Sequence, residues 1–504
     1  MMRRSSTPLW RRLQTSGGLL LALLGIPAAA APGTLPPVLL NALRAAQIEP
    51  TALGLLVQPL DADSPSWAWQ ADKPLNPASL VKLITSAAAL DTLGPAWQWQ
   101  TPVWLQGTLD EQGRLDGTLT IQGSGDPRLG IEPLNTALRR LQTQLGLREV
   151  RGPLVLDRSA FAPDKRDPAD FDGEPWRVGN AQPEALLLQA KSITFNFRPE
   201  GRQVRITAEP PFEPPQTLPL ASGPCGDWRE ALKLDWSRAR VRFAGSYPQA
   251  CGEQAWTLAD PDPASYPARL LTQLAHEQGL RWAEVREGPA PPEPPTLRIP
   301  GPTVAEAVRD MNKHSSNLMA QQLLLSLARA AGVAPVNSDT AAAWLQTWFD
   351  AHGGRAGGVA SRLVNGSGLA RETRVTAAQL AALLRWGWQQ PWMPEWLASL
   401  PVAGLDGTLA RQPTRYGPAL GRAHLKTGTL RDATALGGIV HTRDGRRLIV
   451  VALVNQPQAG AARPALDALL RWLAQDAEAP ATTAAAAGPS DPPASAPARH
   501  SPTR

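Results

Sequence analysis

A serine and a lysine stand three residues apart in the stretch NPASLVKLITS, at Ser79 and Lys82. On a helix, residues i and i+3 lie on one face, so the lysine amine can reach the serine hydroxyl. A serine hydroxyl is a weak nucleophile until a base takes its proton, and a desolvated, neutral lysine can be that base. The pair therefore predicts a nucleophilic serine activated by a lysine.

Lysine is scarce in this chain, which draws attention to each position that carries one. Only seven of the 50 basic residues are lysines, and the remaining ones are arginines. The scarcity itself reflects composition. Arginine keeps its proton at any ordinary pH, however, so a lysine at a position where a base is needed is a candidate for chemistry.

A second short motif, Ser315-Ser316-Asn317, offers the groups that such a nucleophile needs beside it. The Ser315 hydroxyl can relay a proton to a leaving amine. The Asn317 amide has both donors and an acceptor, which suits it to hold Lys82 and a substrate amide at once. We expect both residues to lie in the site.

The third motif is Lys426-Thr427-Gly428, followed by Thr429. Lys426 and Thr427 can hold a carboxylate on the substrate, and the charge of Lys426 disfavours protonation of a nearby amine base. Gly428 allows a substrate backbone to approach the strand closely. The backbone N–H groups of Ser79 and Thr429 can form an oxyanion hole.

Helical patterns predict where the first two motifs lie. Asn76 can cap a buried helix, Pro77 suits its first position, and Gly94 can end it. The sequence HSSN interrupts the apolar pattern between two later helical runs. It therefore predicts a short turn that carries Ser315 and Asn317.

Strand patterns surround the third motif. Three strand-like runs, AHLKTGTL, ATALGGIVHT and RRLIVVALVN, come near the end of the chain, with Asp444-Gly445 in the turn between the last two. ARPALDALLRWLAQ follows as a predicted helix. ALGLLVQPL and SWAWQ, near the start, predict two more strands. We expect an antiparallel sheet built from both chain ends and covered by helices.

The middle of the chain has a different sequence pattern. Strand-like pieces such as GRLDGTLTIQG and SITFNFRP alternate there with proline-rich loops. The predicted fold class is α+β. One domain combines residues 31–98 and 297–475, and one or two β-rich domains are inserted at 99–296.

The first 30 residues have the pattern of a secretory signal peptide. A basic segment precedes about ten apolar residues and small residues that favour cleavage after Ala30. The apolar run is too short to span a bilayer. Export is expected, and an uncleaved membrane anchor is the alternative.

Charge argues against a nucleic-acid partner. The predicted signal contains four arginines and no acid, so its removal lowers the net charge from +6 to +2. Nucleic-acid binding needs a clustered basic surface. The Ala/Pro-rich segment 476–504 lacks apolar periodicity and is predicted to be a disordered tail.

Two cysteines, Cys225 and Cys251, lie in the predicted exported part. In an oxidising compartment we expect them to form a disulfide, and two free buried thiols are the alternative. With no third cysteine and no Cys/His cluster beside them, a zinc site is not expected.

Taken together and in this order, the three motifs resemble the signature of penicillin-binding proteins. The 236-residue gap from Ser79 to Ser315 is far longer than in a β-lactamase. It resembles the class C low-molecular-mass D-alanyl-D-alanine carboxypeptidase/endopeptidase family, peptidase family S13. Four further segments resemble that family: GSGDPRLG at 123–130, LVLDRSAF at 154–161, NGSGLARE at 365–372 and LPVAGLDGTL at 400–409.

The resemblance implies a transpeptidase-like sheet and a serine-type hydrolase of the periplasm without metal or organic cofactor. Its substrates would be peptidoglycan stem peptides, from which it cuts the terminal D-Ala, and D-Ala–diaminopimelate crosslinks. β-Lactams would acylate Ser79. The sequence leaves the oligomeric state open.

Several assignments stay open at this stage. An acidic residue that faces the diaminopimelate amine could be Asp170, Asp172 or Glu174. Two other functions are also compatible with the scaffold: a catalytically idle wall-binding protein and a β-lactamase-like esterase. Secondary candidates for the site are Ser367, Arg371, Asp406, Asp126, His314 and His424.

Overall fold

The computed structural model describes residues 35–62, 64–237 and 240–475. The predicted signal peptide and the predicted tail both lie outside these residues. The helices are α1 (Pro37–Ala45), α2 (Val81–Thr92), α3 (Ile131–Leu145), α4 (Tyr266–Glu277), α5 (Val304–His314), α6 (Asn317–Ala330), α7 (Ser338–His352), α8 (Ala377–Trp388), α9 (Met393–Ser399) and α10 (Arg463–Ala474).

The strands of the described residues form three five-stranded sheets and a two-stranded ribbon. They are β1 (Leu53–Pro59), β2 (Trp67–Trp69), β3 (Gln98–Leu109), β4 (Arg114–Gln122), β5 (Glu149–Asp157), β6 (Ser192–Glu200), β7 (Gln203–Glu209), β8 (Gln216–Ala221), β9 (Leu232–Ser237), β10 (Arg240–Gly245), β11 (Tyr247–Pro248), β12 (Gln254–Ala259), β13 (Arg281–Glu287), β14 (Leu297–Thr303), β15 (Ala423–Thr429), β16 (Ala433–His441) and β17 (Arg447–Asn455).

The first sheet has the order β15-β16-β17-β1-β2 and is antiparallel throughout. Its central pairing joins the two ends of the chain, with Leu53 opposite Val454. The prediction of one antiparallel sheet from both chain ends, and of all five of its strands, is confirmed.

Both faces of this sheet are covered, which explains why its central strands are apolar at nearly every position. Along β17, Ile449, Val451 and Leu453 face a core that includes α2 and α5 to α9. Their neighbours Val450 and Ala452 face a second core formed with α1 and α10. Side chains alternate between faces along a strand, so two buried faces require a continuous apolar run.

The other sheets come from the middle of the chain. One has the order β13-β5-β4-β3-β14, with α3 and α4 packed on its core. The other has the order β11-β8-β7-β6-β12, and the β9–β10 ribbon shares its core. The α+β fold class with β-rich additions is confirmed, whereas the division into domains at the stated residue numbers stays a prediction.

The expected disulfide is present. Cys225 and Cys251 are bonded across 26 positions of sequence. Cys251 is buried in the core shared by the β6–β12 sheet and the β9–β10 ribbon, beside aromatic residues such as Phe197 and Trp228. The bond therefore joins the two ends of the segment that contains β9 to β11 at the core of the β11-β8-β7-β6-β12 sheet, which we call the third sheet.

No helix within the described residues is long and apolar enough to cross a membrane.

Replacing both cysteines by serine should destabilise the third sheet. Closing a loop of this length stabilises by about 3 kcal/mol in the chain-entropy model, and the double variant loses that contribution. Denaturant unfolding with hydrogen exchange of peptides from β6 to β12 measures the change locally. Wild type treated with a reductant should match the variant, and unchanged protection in both would contradict a stabilising disulfide.

Candidate active site

Ser79 lies in a strained turn that enters a buried helix. The residues Ala78–Leu80 form one 3₁₀ turn, and α2 begins only at Val81, so the helix starts later than the sequence predicts. The predicted cap residue acts on the turn instead: the Ala78 N–H donates to Asn76 Oδ1 at 2.8 Å. Ala78 has φ +48°, a conformation that costs a non-glycine residue about 1–2 kcal/mol.

Two glycines lie in close contact with the backbone of this turn. A Cβ at Gly428 would lie 2.8 Å from the Ser79 nitrogen and from the Pro77 carbonyl oxygen. A Cβ at Gly368, where φ is +80°, would lie 1.9 Å from the Ala78 carbonyl oxygen. Neither position can hold a side chain without moving the backbone of the turn. Gly428 thus has a packing role that its sequence context did not indicate.

The Lys82 amine lies against Ser79, and its three hydrogen-bond partners are uncharged groups. Its Nζ is 3.0 Å from Ser79 Oγ, 2.8 Å from Asn317 Oδ1 and 2.6 Å from the Ser367 carbonyl oxygen. The side chain is completely buried. Burial, together with the charge of Lys426, lowers the pKa of Lys82 well below its ordinary value.

These three contacts fit a neutral amine. A neutral amine has two N–H donors and one lone pair. Asn317 Oδ1 and the Ser367 carbonyl can only accept, so they take the two N–H groups. The lone pair of Lys82 then faces the Ser79 hydroxyl, which can donate its proton. When Lys82 is neutral, this geometry directs its lone pair at one serine.

Ser315 and Lys426 form a second pair beside the first. Lys426 Nζ donates to Ser315 Oγ at 2.8 Å and to the Thr427 carbonyl at 2.7 Å. Ser315 is the first of the two residues between α5 and α6 and has φ +56°. Asn317 is the first residue of α6, so the predicted turn is shorter than expected and this residue is helical.

Lys426 is completely buried in strand β15. Burial lowers its pKa from the ordinary 10.5 to about 7. Within the described residues neither Lys82 nor Lys426 forms an ion pair with a carboxylate. Burial therefore favours the neutral form of both amines relative to an exposed lysine.

A cleft on the α10 side of Ser79, which we call the Arg463 cleft, has a volume of about 270 Å³. Arg463 is the first residue of α10 and donates from Nη2 to Thr429 Oγ1 at 2.9 Å. The lining polar residues include Ser79, Ser315, Thr408, Arg415, Thr427, Thr429, Arg463 and Asp467.

A second cleft, which we call the Phe171 cleft, opens on the Asn317 side of the site. Its lining residues include Phe171, Asp172, Glu174, Arg177, Asn180, Asn317, Arg371, Thr429 and Arg431. The Arg371 guanidinium stacks over the Phe171 ring at 5.0 Å from its centroid. The cleft is thus bounded by a segment from the middle of the chain and by the NGSGLARE segment.

The three acidic candidates have different surroundings. Asp172 and Glu174 line the Phe171 cleft and share Arg177 as an ion-pair partner. Asp170 lines an adjoining cleft with Arg371 instead. The first two are therefore the acids beside Asn317.

The remaining candidates have roles apart from Ser79. Asp406 pairs with Lys313 at 2.6 Å and accepts from the Val402 N–H, which holds the turn before β15. Asp126 is buried, and burial raises its pKa to about 6. Burial lowers the pKa of His424, whose Nδ1 lacks a hydrogen-bond partner. His314 ends α5.

Sequence reasoning missed three features of the site. The Ser367 contribution is its backbone carbonyl, since its hydroxyl bonds Asn365. The positive φ of Ala78 carries no sequence signal because alanine rarely adopts it. Arg463 lies 34 residues after Thr429 in a predicted helix, where an arginine is ordinary.

Comparisons with known proteins find similarity to carboxypeptidases along most of the chain. Residues 39–476 match the model of the D-Ala-D-Ala carboxypeptidase 3 (S13) family. A D-alanyl-D-alanine carboxypeptidase of Actinomadura sp. (strain R39) is 27% identical over 85% of this chain and 82% of the relative. Carboxypeptidase DacB of Mycolicibacterium smegmatis is 28% identical over 88% of this chain and 87% of its own length.

The fold is similar to that of a solved structure. Penicillin binding protein 4 (dacB) of Haemophilus influenzae superposes with a TM-score of 0.71 at 20% identity, covering 88% of this chain and all of that chain. A structure of the same protein complexed with a β-lactam gives a TM-score of 0.66. The penicillin-binding, transpeptidase-like fold predicted for this chain is confirmed.

Lys426→Met should change how stability depends on pH. The unfolded chain keeps the Lys426 proton up to about pH 10.5 and the folded protein loses it near pH 7, so stability rises with pH between these values. From pH 7 to 9 this contributes about 2 kcal/mol, which the variant lacks. Denaturant unfolding at both pH values measures it. Lys165→Met, at an exposed lysine, should retain the full wild-type rise. Because the lowered pKa of Lys82 also contributes a rise, Lys426→Met should show a smaller one, and a rise as large as that of wild type contradicts the assignment.

Gly428→Ala should destabilise the protein more than Gly437→Ala on the neighbouring strand. The first methyl group meets backbone atoms of Pro77 and Ser79 at 2.8 Å, whereas the second meets the flexible end of Leu80 at 3.0 Å. Overpacking against backbone costs about 1–3 kcal/mol. Thermal and denaturant unfolding of the two variants compare the costs, and equal effects would argue against a rigid turn.

Proposed function

This chain belongs to the D-Ala-D-Ala carboxypeptidase 3 (S13) family, and we propose that it removes the terminal D-Ala from peptidoglycan stem peptides through an acyl-enzyme on Ser79. One observation carries the proposal. The completely buried Lys82 amine, with its pKa lowered, lies 3.0 Å from Ser79 Oγ and forms no ion pair with an acid of the described residues. A lysine in that setting is a base for the serine.

In the acylation step, Ser79 Oγ forms a bond to the scissile carbonyl carbon while its proton passes to Lys82 Nζ. The backbone N–H groups of Ser79 and Thr429 stabilise the negative oxygen that develops. The C–N bond then breaks, and the leaving amine takes a proton from Lys82 through Ser315. Water later attacks the ester and regenerates the serine.

The two clefts divide the substrate. Ser315, which serves the leaving amine, lines the Arg463 cleft, so the departing D-Ala lies there. Asn317, whose amide suits the retained peptide, lines the Phe171 cleft, so the stem peptide lies there. Thr427, near the end of β15, lines the Arg463 cleft and is available to the leaving carboxylate, as the third motif indicates.

We also propose D,D-endopeptidase activity on D-Ala–diaminopimelate crosslinks. The bond type is the same, so the same serine can attack it. The Phe171 cleft supports this activity because Asp172 and Glu174 supply carboxylates next to Asn317 that can face a free amine. These residues would be the acidic contact that the sequence left open among three candidates.

The proposed site also binds β-lactams. Ser79 Oγ attacks the β-lactam carbonyl, the ring C–N bond breaks, and the ring nitrogen takes the proton. Because this nitrogen stays attached to the rest of the drug, the adduct keeps the whole mass of the penicillin. The relative from Haemophilus influenzae has been solved in complex with a β-lactam, which supports this proposal.

Ser79→Ala and Lys82→Arg should each abolish acylation without unfolding the protein. The first removes the nucleophile, and the second replaces a base by a group that keeps its proton. Intact mass spectrometry with and without a penicillin, followed by peptide mapping, should find one adduct on the Ser79 peptide of wild type alone. Near-full acylation of Lys82→Arg would refute the assignment of the base.

The same experiment separates the alternative functions. A wild-type protein without adduct and with intact drug would be an idle wall-binding protein. A protein without adduct that hydrolyses the drug would be a β-lactamase-like esterase. If wild type forms the adduct, muropeptide assays of the enzyme without penicillin then compare carboxypeptidase and endopeptidase rates.

A further inference from the structure

The Arg463 cleft contains a cation that the three motifs do not include. The side chain of Arg463 is exposed, and its Nη2 donates to Thr429 Oγ1 at 2.9 Å. Thr429 ends strand β15, and both residues line the cleft together with Ser79 and Ser315. The guanidinium therefore lies on the side of the site where the leaving group departs.

The obvious cation for a leaving carboxylate, Lys426, is poorly placed for direct contact. It is completely buried, and its Nζ already donates to Ser315 Oγ and to the Thr427 carbonyl. An arginine, which keeps its charge at any ordinary pH, can give a carboxylate a full ion pair.

Arg415, the other arginine of this cleft, is already neutralised. Its Nε and Nη2 donate to the two carboxylate oxygens of Asp467 at 2.8 and 2.9 Å. Arg463, in contrast, makes no ion pair with an acid of the described residues. Its bond to Thr429 uses one of its five N–H donors, which leaves a pair free for both oxygens of a carboxylate.

Resting on the function proposed above, we propose that Arg463 binds the carboxylate of the departing residue and so selects substrates with a free carboxylate next to the scissile amide nitrogen. In this arrangement Thr429 holds the guanidinium in place through its hydroxyl. Lys426 acts through its hydrogen bond to Ser315 and through its charge, which lowers the pKa of Lys82. Arg463 is thus a specificity residue that contacts the substrate and takes no part in proton transfer.

The test compares two peptides that differ only in this group. One ends in D-Ala-D-Ala with a free carboxylate, and the other ends in D-Ala-D-Ala carboxamide. In Arg463→Gln, kcat/KM for the acid should fall roughly 10- to 100-fold, as expected for a lost charged hydrogen bond, mainly through KM. For the carboxamide it should change less than about threefold, because that peptide lacks the charge.

Two further variants control the experiment. Arg463→Lys keeps the charge and should restore part of the preference for the acid. Arg443→Gln removes the same charge from the exposed β16–β17 turn, at the opposite end of the sheet from Thr429, and should leave both peptides unaffected. Added salt should weaken the wild-type preference, because an exposed ion pair is screened.

The outcomes are distinct for the two proposals. Equal losses on both peptides in Arg463→Gln, or an unchanged KM for the acid, overturn the assignment of Arg463 and leave the peptidase function standing. If the carboxamide is turned over too slowly to measure, the KM of the acid decides alone. A wild type that cleaves neither peptide and forms no penicillin adduct overturns the proposed function and this inference with it.

Discussion

A lysine amine buried without any acid beside it is the constraint on which the site depends. An ammonium group is strongly disfavoured in such a place, so Lys82 gains most from burial as a neutral base. The surrounding acceptors, Asn317 Oδ1 and the Ser367 carbonyl, are uncharged and fix its direction. A carboxylate at either position would stabilise the protonated form and remove the base.

The fold meets this constraint by bringing three distant segments around one turn. Gly368 and Gly428 approach the backbone of Ala78 and Ser79 from two sides, and α5 and α6 add Ser315 and Asn317. Each approach is backbone against backbone, which leaves little freedom for the serine. The strain at Ala78 is tolerated because its surroundings are completely packed.

The sequence predicted the strands of the first sheet and the residues of the three motifs, because both follow from local patterns. Apolar runs between turn residues mark β15 to β17, and the spacing of Ser79 and Lys82 fixes their common face. What it could not predict depends on contacts between distant segments: the late start of α2, the packing role of Gly428, and the meeting of Arg463 with Thr429.

The pairing of β1 with β17 also bears on how the protein is made. Leu53 on β1 pairs with Val454 on β17. The sheet that carries Lys426 therefore cannot close until nearly the whole chain has been synthesised. Contacts this distant in sequence form slowly, while pairings of consecutive strands in the middle segment, such as β3–β4 and β6–β7, can form earlier. The proposed catalytic site, which includes Lys426 on β15, is thus complete only once β17 has paired with β1 and β16. A polypeptide that stops before β17 lacks the central strand of this sheet.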